Sequence, residues 1–142
     1  MAAFNKFESF VEAIAEKKHD LGADEFYIQL MNTAPDGAAD AVETDLPADL
    51  SSANGYTAGG VSAGTATGSA QTGGVYKLDI GDKVITASGG SIGPFRYVVL
   101  LNNDATNKEL IGYYDYGSSI TLLDTETLTI DFDGSNGVLT IE

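Results

Sequence analysis

From position 75 onward, apolar and polar residues alternate with a period of two between short turn-rich stretches, the pattern of β-strands. Tyr76, Leu78 and Ile80 alternate with Lys77 and Asp79, and a shorter run follows at Lys83–Ala87. Two longer runs, Phe95–Leu101 and Leu110–Tyr116, flank the polar loop Asn102–Glu109 and predict a hairpin. Alternation puts Phe95, Tyr97, Val99 and Leu101 on one of its faces. A last hairpin is predicted to pair Thr127–Phe132 with Val138–Ile141 around the turn Asp133–Gly137, directing Leu128, Ile130, Phe132, Leu139 and Ile141 inward. Upstream, Phe26–Met31 sets Phe26, Ile28 and Leu30 against Tyr27, Gln29 and Met31, and the turn residues Asn32–Gly37 end the strand.

Near the N-terminus the period changes. Phe4, Phe7, Phe10, Val11, Ile14 and Ala15 recur at helical spacing, with Glu8, Glu12 and Glu16 on another face. Lys17, Lys18 and His19 fall in the last turn, where cations complement the helix dipole, and Gly22 is the stop. The phenylalanines are expected to cover a sheet, and His19 is expected to be a plain helix-end residue. Between the first strand (23–35) and the β core (75–142) lies a stretch, 36–74, rich in Ala, Gly, Ser, Thr and Asp. Its few large apolar side chains are Val42, Leu46, Leu50, Tyr56 and Val61. So long a connection is unusual in a compact domain: either it hides short edge strands or it is an extended arm that neighbours hold in place, and the arm is the preferred reading. In a free subunit those few side chains are not expected to offset the entropy of ordering the arm. The sum is one mainly β domain over 1–142: an antiparallel β-sandwich or barrel-like body, an N-terminal amphipathic helix (1–22) and a long Gly-rich arm.

Composition narrows the function. A chain of 142 residues can bury about 68% of its unfolded surface, enough for one core without staples. Cysteine is absent, which removes disulfides and thiolate metal sites. No apolar run approaches the ~20 residues of a membrane helix, and the start has acids among its apolar positions in place of a signal-peptide core. The expectation is a protein made without passage through a secretory membrane. The net charge is −14, with no lysine or arginine between His19 and Tyr76 and none after Lys108. Without cations to neutralise phosphates, neither nucleic acid nor an anionic membrane is an expected partner. Such a surface repels its own copies and suits a partner that carries basic patches.

Candidate chemistry is thin. Counted from Asp131, oxygen donors fall at positions 1, 3 and 5 and Glu142 at position 12, the spacing of a calcium-binding EF-hand loop. Position 6, which needs glycine, is Asn136, and the flanks alternate as strands, so a hairpin turn is the better reading. The glycines lack the lysine and the strand–loop–helix context of a phosphate loop. A carboxylate pair such as Asp115 and Asp131 has no specificity among 21 acids. Tyr113, Tyr114 and Tyr116 could make a sugar platform or a protein contact. Arg96, the lone arginine, is expected to hold a carboxylate bidentately, either within the fold or across a subunit contact. No enzyme activity, catalytic residue, cofactor or metal is expected. The candidate contacts with other subunits or with a partner are Tyr56, Arg96, Tyr113 and Tyr116.

Over essentially its whole length, in the stretches FNKFESFVEAIAEKKHDLGADEFYIQLMNTAP, NGYTAGG, SAQTGGVYKLDI, SGGSIGPFRYVVLLNND and LIGYYDYGSSITLLDTETLTIDFDGSNGVLTI, the chain resembles small virion structural proteins of tailed bacteriophages. The resemblance implies a head decoration or cement protein, synthesised in the bacterial host cytoplasm and bound to the capsid exterior. Its implied partner is the major capsid protein, its implied state a homotrimer, and it supplies no catalytic motif. The alternatives are a tail-tube or head–tail connector subunit, and a carbohydrate-binding or host-adhesion module.

Overall fold

The two longest alternating runs become the two longest strands. In the computed structural model, which describes residues 2–142, the elements run β1 (Phe4–Lys6), α1 (Ser9–Ala15), β2 (Phe26–Met31), β3 (Val61–Gly64), β4 (Ala70–Thr72), β5 (Val75–Leu78), β6 (Lys83–Thr86), β7 (Ile92–Asn102), β8 (Leu110–Leu122), β9 (Thr127–Ile130) and β10 (Leu139–Ile141). β7 and β8 form the predicted hairpin, with Val98 opposite Tyr114 and Val99 opposite Tyr113. They centre a five-stranded antiparallel sheet of order β1-β8-β7-β2-β3. A three-stranded sheet, β10-β5-β4, and a two-stranded ribbon, β6-β9, complete a mainly β, sandwich-like fold with one short α-helix. No helix among the described residues is long and apolar enough to cross a membrane.

Both faces of the five-stranded sheet are filled. On one, Phe26, Ile28, Leu30, Val98, Leu100 and Tyr114 pack with Phe10 of α1, Leu78 of β5, Ile85 of β6 and Ile130 of β9 in the main core. On the other, Met31, Tyr97, Val99, Leu101 and Leu110 form a second cluster with Phe7, against which Leu46 of the arm packs. Residues 97–102 of β7 are therefore almost continuously buried, as strands covered on both sides are.

Four expectations change. Phe4 belongs to a strand, not a helix: Phe4–Lys6 pairs with Gly112–Tyr114 on the outer edge of β8. Edge pairing outweighs the helical spacing of the phenylalanines, and α1 covers only Ser9–Ala15. Second, the C-terminal hairpin does not form. The turn reverses the chain, with Gly137 N–H donating to Asp133 O at 2.7 Å, but β9 pairs with β6 and β10 with β5. Third, Phe95 does not share a face with Tyr97. Register shifts between Ile92 and Tyr97 turn Phe95 into the main core, while Tyr97, Val99 and Leu101 face the second cluster.

The arm is the fourth. It lies on its own chain and contains β3 and β4. Glu8 N–H donates to Gly37 O at 2.9 Å, Leu110 N–H to Ala41 O at 3.0 Å, and Leu50 N–H to Leu30 O at 3.0 Å. Backbone pairing supplies the ordering that its small side chains do not.

Candidate functional site

The predicted contact residues separate into a surface pair, two half-buried rings and one core residue. Arg96 Nε donates to Asp115 Oδ1 at 2.7 Å and Nη2 to Oδ2 at 3.0 Å, with both side chains about one-third exposed (37% and 34%). The guanidinium carbon also sits 5.2 Å from the centre of the Tyr97 ring. Hydrogen bonding to Arg96, then the Gly117 N–H, holds the Asp115 carboxyl below its ordinary range. The expected bidentate pair is internal to the fold.

Tyr113 is half-buried, its ring 5.3 Å from Phe7 and 6.4 Å from Tyr97, the latter edge-on. Tyr116 packs partly buried against the main core, and burial raises its phenol pKa. Tyr114 is buried, with its pKa also raised by burial. These tyrosines do not present the pair of exposed, coplanar rings that a sugar platform uses.

Tyr56 is not a surface contact at all. It is 3% exposed; its hydroxyl accepts the Leu30 N–H at 3.0 Å and donates to Asp49. Burial, then the hydrogen bond to Asp49, raises its pKa. The tyrosine pins the arm to β2. One large ring in a run of small residues is the signal for such an anchor, because a ring with a polar tip can fill the core and also satisfy a backbone donor.

Sequence reading missed a buried polar cluster. The helix ends in a Schellman motif: Lys17 adopts φ 65°, Lys18 N–H donates to Ala13 O at 2.9 Å and Lys17 N–H to Ile14 O at 3.3 Å. The resulting turn carries His19 inward, to 6% exposure, with its ring 5.2 Å from Phe10. His19 is thus a buried residue and not a solvated helix end. Asn102, fully buried, donates from Nδ2 to His19 Nδ1 at 3.0 Å and to Asp24 Oδ2 at 2.5 Å. Its Oδ1 accepts the N–H groups of Asp104 and Ala105. The Asn-Asn-Asp start of the loop was the available signal, since asparagine there bonds the backbone two residues on.

Two recesses border His19. One, of about 400 Å³, is lined by Ile14, Lys17, Leu21, Tyr76 and Ile141 and has a mainly apolar wall. The other, of about 240 Å³, is lined by Lys18, Asp24, Asp104 and Thr106. In the Asp131–Gly137 turn the carboxylates hold backbone: Asp133 Oδ1 accepts the Ser135 and Asn136 N–H groups, and Asp131 Oδ1 accepts that of Asp133. The turn is built as an Asx turn at these residues.

Compared with known proteins, the chain matches no family model, no curated protein and no solved structure.

Proposed function

We propose that this chain is a non-enzymatic virion structural protein of a tailed bacteriophage, acting as a decoration or cement protein on the outer surface of the major capsid lattice. The resemblance of the chain to such proteins motivates the reading. The observation that carries it is how the polar side chains at the candidate sites are used. Arg96 is closed on Asp115, Tyr113 packs against Phe7 and Tyr97, and the acids of the Asp131–Gly137 turn cap their own backbone. Those groups serve rigidity, which a lattice clamp requires.

The mechanism is binding linkage. A protein that binds the expanded lattice and not the unexpanded shell stabilises the expanded state by mass action. Repetition over many equivalent sites, through a trimer, raises avidity without new contacts. An acidic body of charge −14 also avoids packaged or spilled nucleic acid while leaving basic patches of a partner as docking points.

The test is saturable binding of the purified chain to expanded heads that lack it, compared with unexpanded shells. Binding to expanded heads alone, in multiples of three per site and with added resistance to heat, supports the reading. Binding to neither shell overturns it. The tail-tube or connector role, and then a glycan-array search for the adhesion role, follow in that case.

A further inference from the structure

Residues 50–76 carry no charged side chain, in a chain whose other positions hold all 21 acids and all seven lysines and arginines. That neutral run supplies β3, an edge of the five-stranded sheet, and β4, an edge of the three-stranded sheet. The link between them stays on the body, with Thr67 N–H donating to Asp79 O at 2.9 Å and Ala66 bridged to Ile80. A single stretch, 61–72, therefore runs along one edge of both sheets.

Other strand ends carry protection that this stretch lacks. Lys6 lies in β1, Lys83 in β6, and Glu142 directly follows β10. Charges of this kind are how proteins keep free edges from pairing with other chains. β4 is exposed at all three residues and has neither charge nor proline. Its turn, Gly73–Gly74, has φ of 61° and 85°, a two-residue hairpin turn of the primed kind. In such a hairpin Thr72 and Val75 form the hydrogen-bonded pair, which leaves Gln71, opposite Tyr76, with its backbone N–H and C=O facing outward.

We infer that the neutral edge formed by residues 61–72 is where copies of this chain meet, through backbone pairing on β4. The occupant follows from charge. Two bodies of −14 repel over most of their surface, and this strip lets them approach where the chain itself is uncharged and the nearest carboxylates are engaged, Glu25 by Ser62 and Asp79 by Lys77. A basic partner gains nothing from a neutral strip and would choose the acidic surface. The inference deepens the homo-oligomer of the proposed function, and rests on that reading only in expecting that copies associate.

The experiment is sedimentation equilibrium of the chain at micromolar concentrations, in low and high salt, beside Gln71→Pro and Thr72→Lys. Proline at position 71 removes an N–H that points away from β5, and with it the Gln71 Oε1 that accepts the Gly74 N–H at 2.9 Å, so Thr72→Lys, which keeps that bond, is the control for the turn. Thr72→Lys adds an edge charge without touching the backbone. The expected result is a defined oligomer that tightens as salt rises, because screening weakens the repulsion between acidic bodies. Each variant should weaken it by about tenfold or more with an unchanged circular dichroism spectrum. A monomer at every concentration, or an oligomer that both folded variants leave intact, overturns the inference. Edge-dependent assembly by a chain that ignores phage heads would defeat only the proposed function. Head binding by a monomeric chain, unaffected by either variant, would defeat only this inference.

Discussion

Asn102 Nδ2 lies 3.0 Å from Nδ1 of His19, a residue 83 positions earlier, and so ties the end of α1 to the end of β7. The same amide also donates to Asp24 and its oxygen accepts two backbone N–H groups, so all of its hydrogen-bonding capacity is used. Replacing Asn102 with alanine would leave His19 Nδ1, the Asp24 carboxylate and two amides short of a partner. The expected cost is about 1–3 kcal/mol, read as a lower urea midpoint with an unchanged slope. A loss well under this range would mean that water replaces the amide.

His19 gives the fold a pH dependence near neutrality. Burial lowers its pKa below 6.5, only partly countered by the carboxylates of Glu109 and Asp24. Below 6.5 the unfolded chain then binds a proton more readily than the folded one, so stability is full above that pH and declines as the pH falls through the window beneath it. Asp115 and Asp133 act in a separate window. Their folded pKa values lie below 3.8, so their contribution is lost only as pH falls below that value. Urea midpoints from pH 8 to 5 should therefore fall in the wild type, and His19→Gln should flatten that slope. An equally steep slope in the variant would assign it to other groups.

Strand β1 depends on an absence at position 112. A Cβ built on Gly112 would run into the Phe4 ring and lie 2.7 Å from Asn5 O. Gly112→Ala should push β1 off the edge of β8 at a cost of about 1–3 kcal/mol, the range for overpacking. Hydrogen exchange would localise the effect to residues 4–6 and their partners on β8. Protection lost uniformly across the chain would contradict this local account.

How far the sequence could be read follows from the physics of each element. β2, β5, β7 and β8 show in the sequence as runs of β-branched, aromatic and aliphatic residues bounded by turn residues, which is what strands covered on one or both faces require. The facing of Phe95 does not, because the register shift beside it is set by pairing with β8 and leaves no mark on the pattern. Phe4, Phe7 and Phe10 repeat at helical spacing, yet the first sits in a strand, the second in the far-face cluster and the third in the main core. Arg96 was readable as a bidentate residue, since a lone arginine among many acids has few other uses, but its partner Asp115 is a matter of register across the hairpin. His19 and Asn102 were not legible together, because a contact over so long a separation is visible only once the helix end and the loop are placed.

Lys17 offers a stabilising change. It occupies the left-handed position that closes the helix, with φ 65°, where glycine is free of the Cβ penalty. Lys17→Gly should raise stability by about 0.5–1 kcal/mol, after allowance for the greater freedom of glycine in the unfolded chain. Thermal melts of the pair would show a rise of a few degrees. A fall would mean that the lysine side chain contributes more, at the mouth of the apolar recess, than its backbone strain removes.

The arm supplies the last prediction. Its ordering turns on Tyr56, whose hydroxyl bridges Leu30 N–H on β2 and the carboxylate of Asp49, while Asp49 Oδ2 also accepts the Gly59 N–H at 2.7 Å. The ring and the hydroxyl do separate work. Tyr56→Phe keeps the packing and leaves a buried amide without its acceptor, a cost of about 1–3 kcal/mol. Tyr56→Ala also opens a cavity, and the loss grows to about 3–5 kcal/mol, the range for deleting a buried aromatic ring. Hydrogen exchange on the isolated chain should show residues 49–60 protected in the wild type and exposed in Tyr56→Ala, with β7 and β8 still protected. Fast exchange of that stretch in the wild type would return the arm to the reading its composition first gave, a segment ordered only by neighbouring subunits.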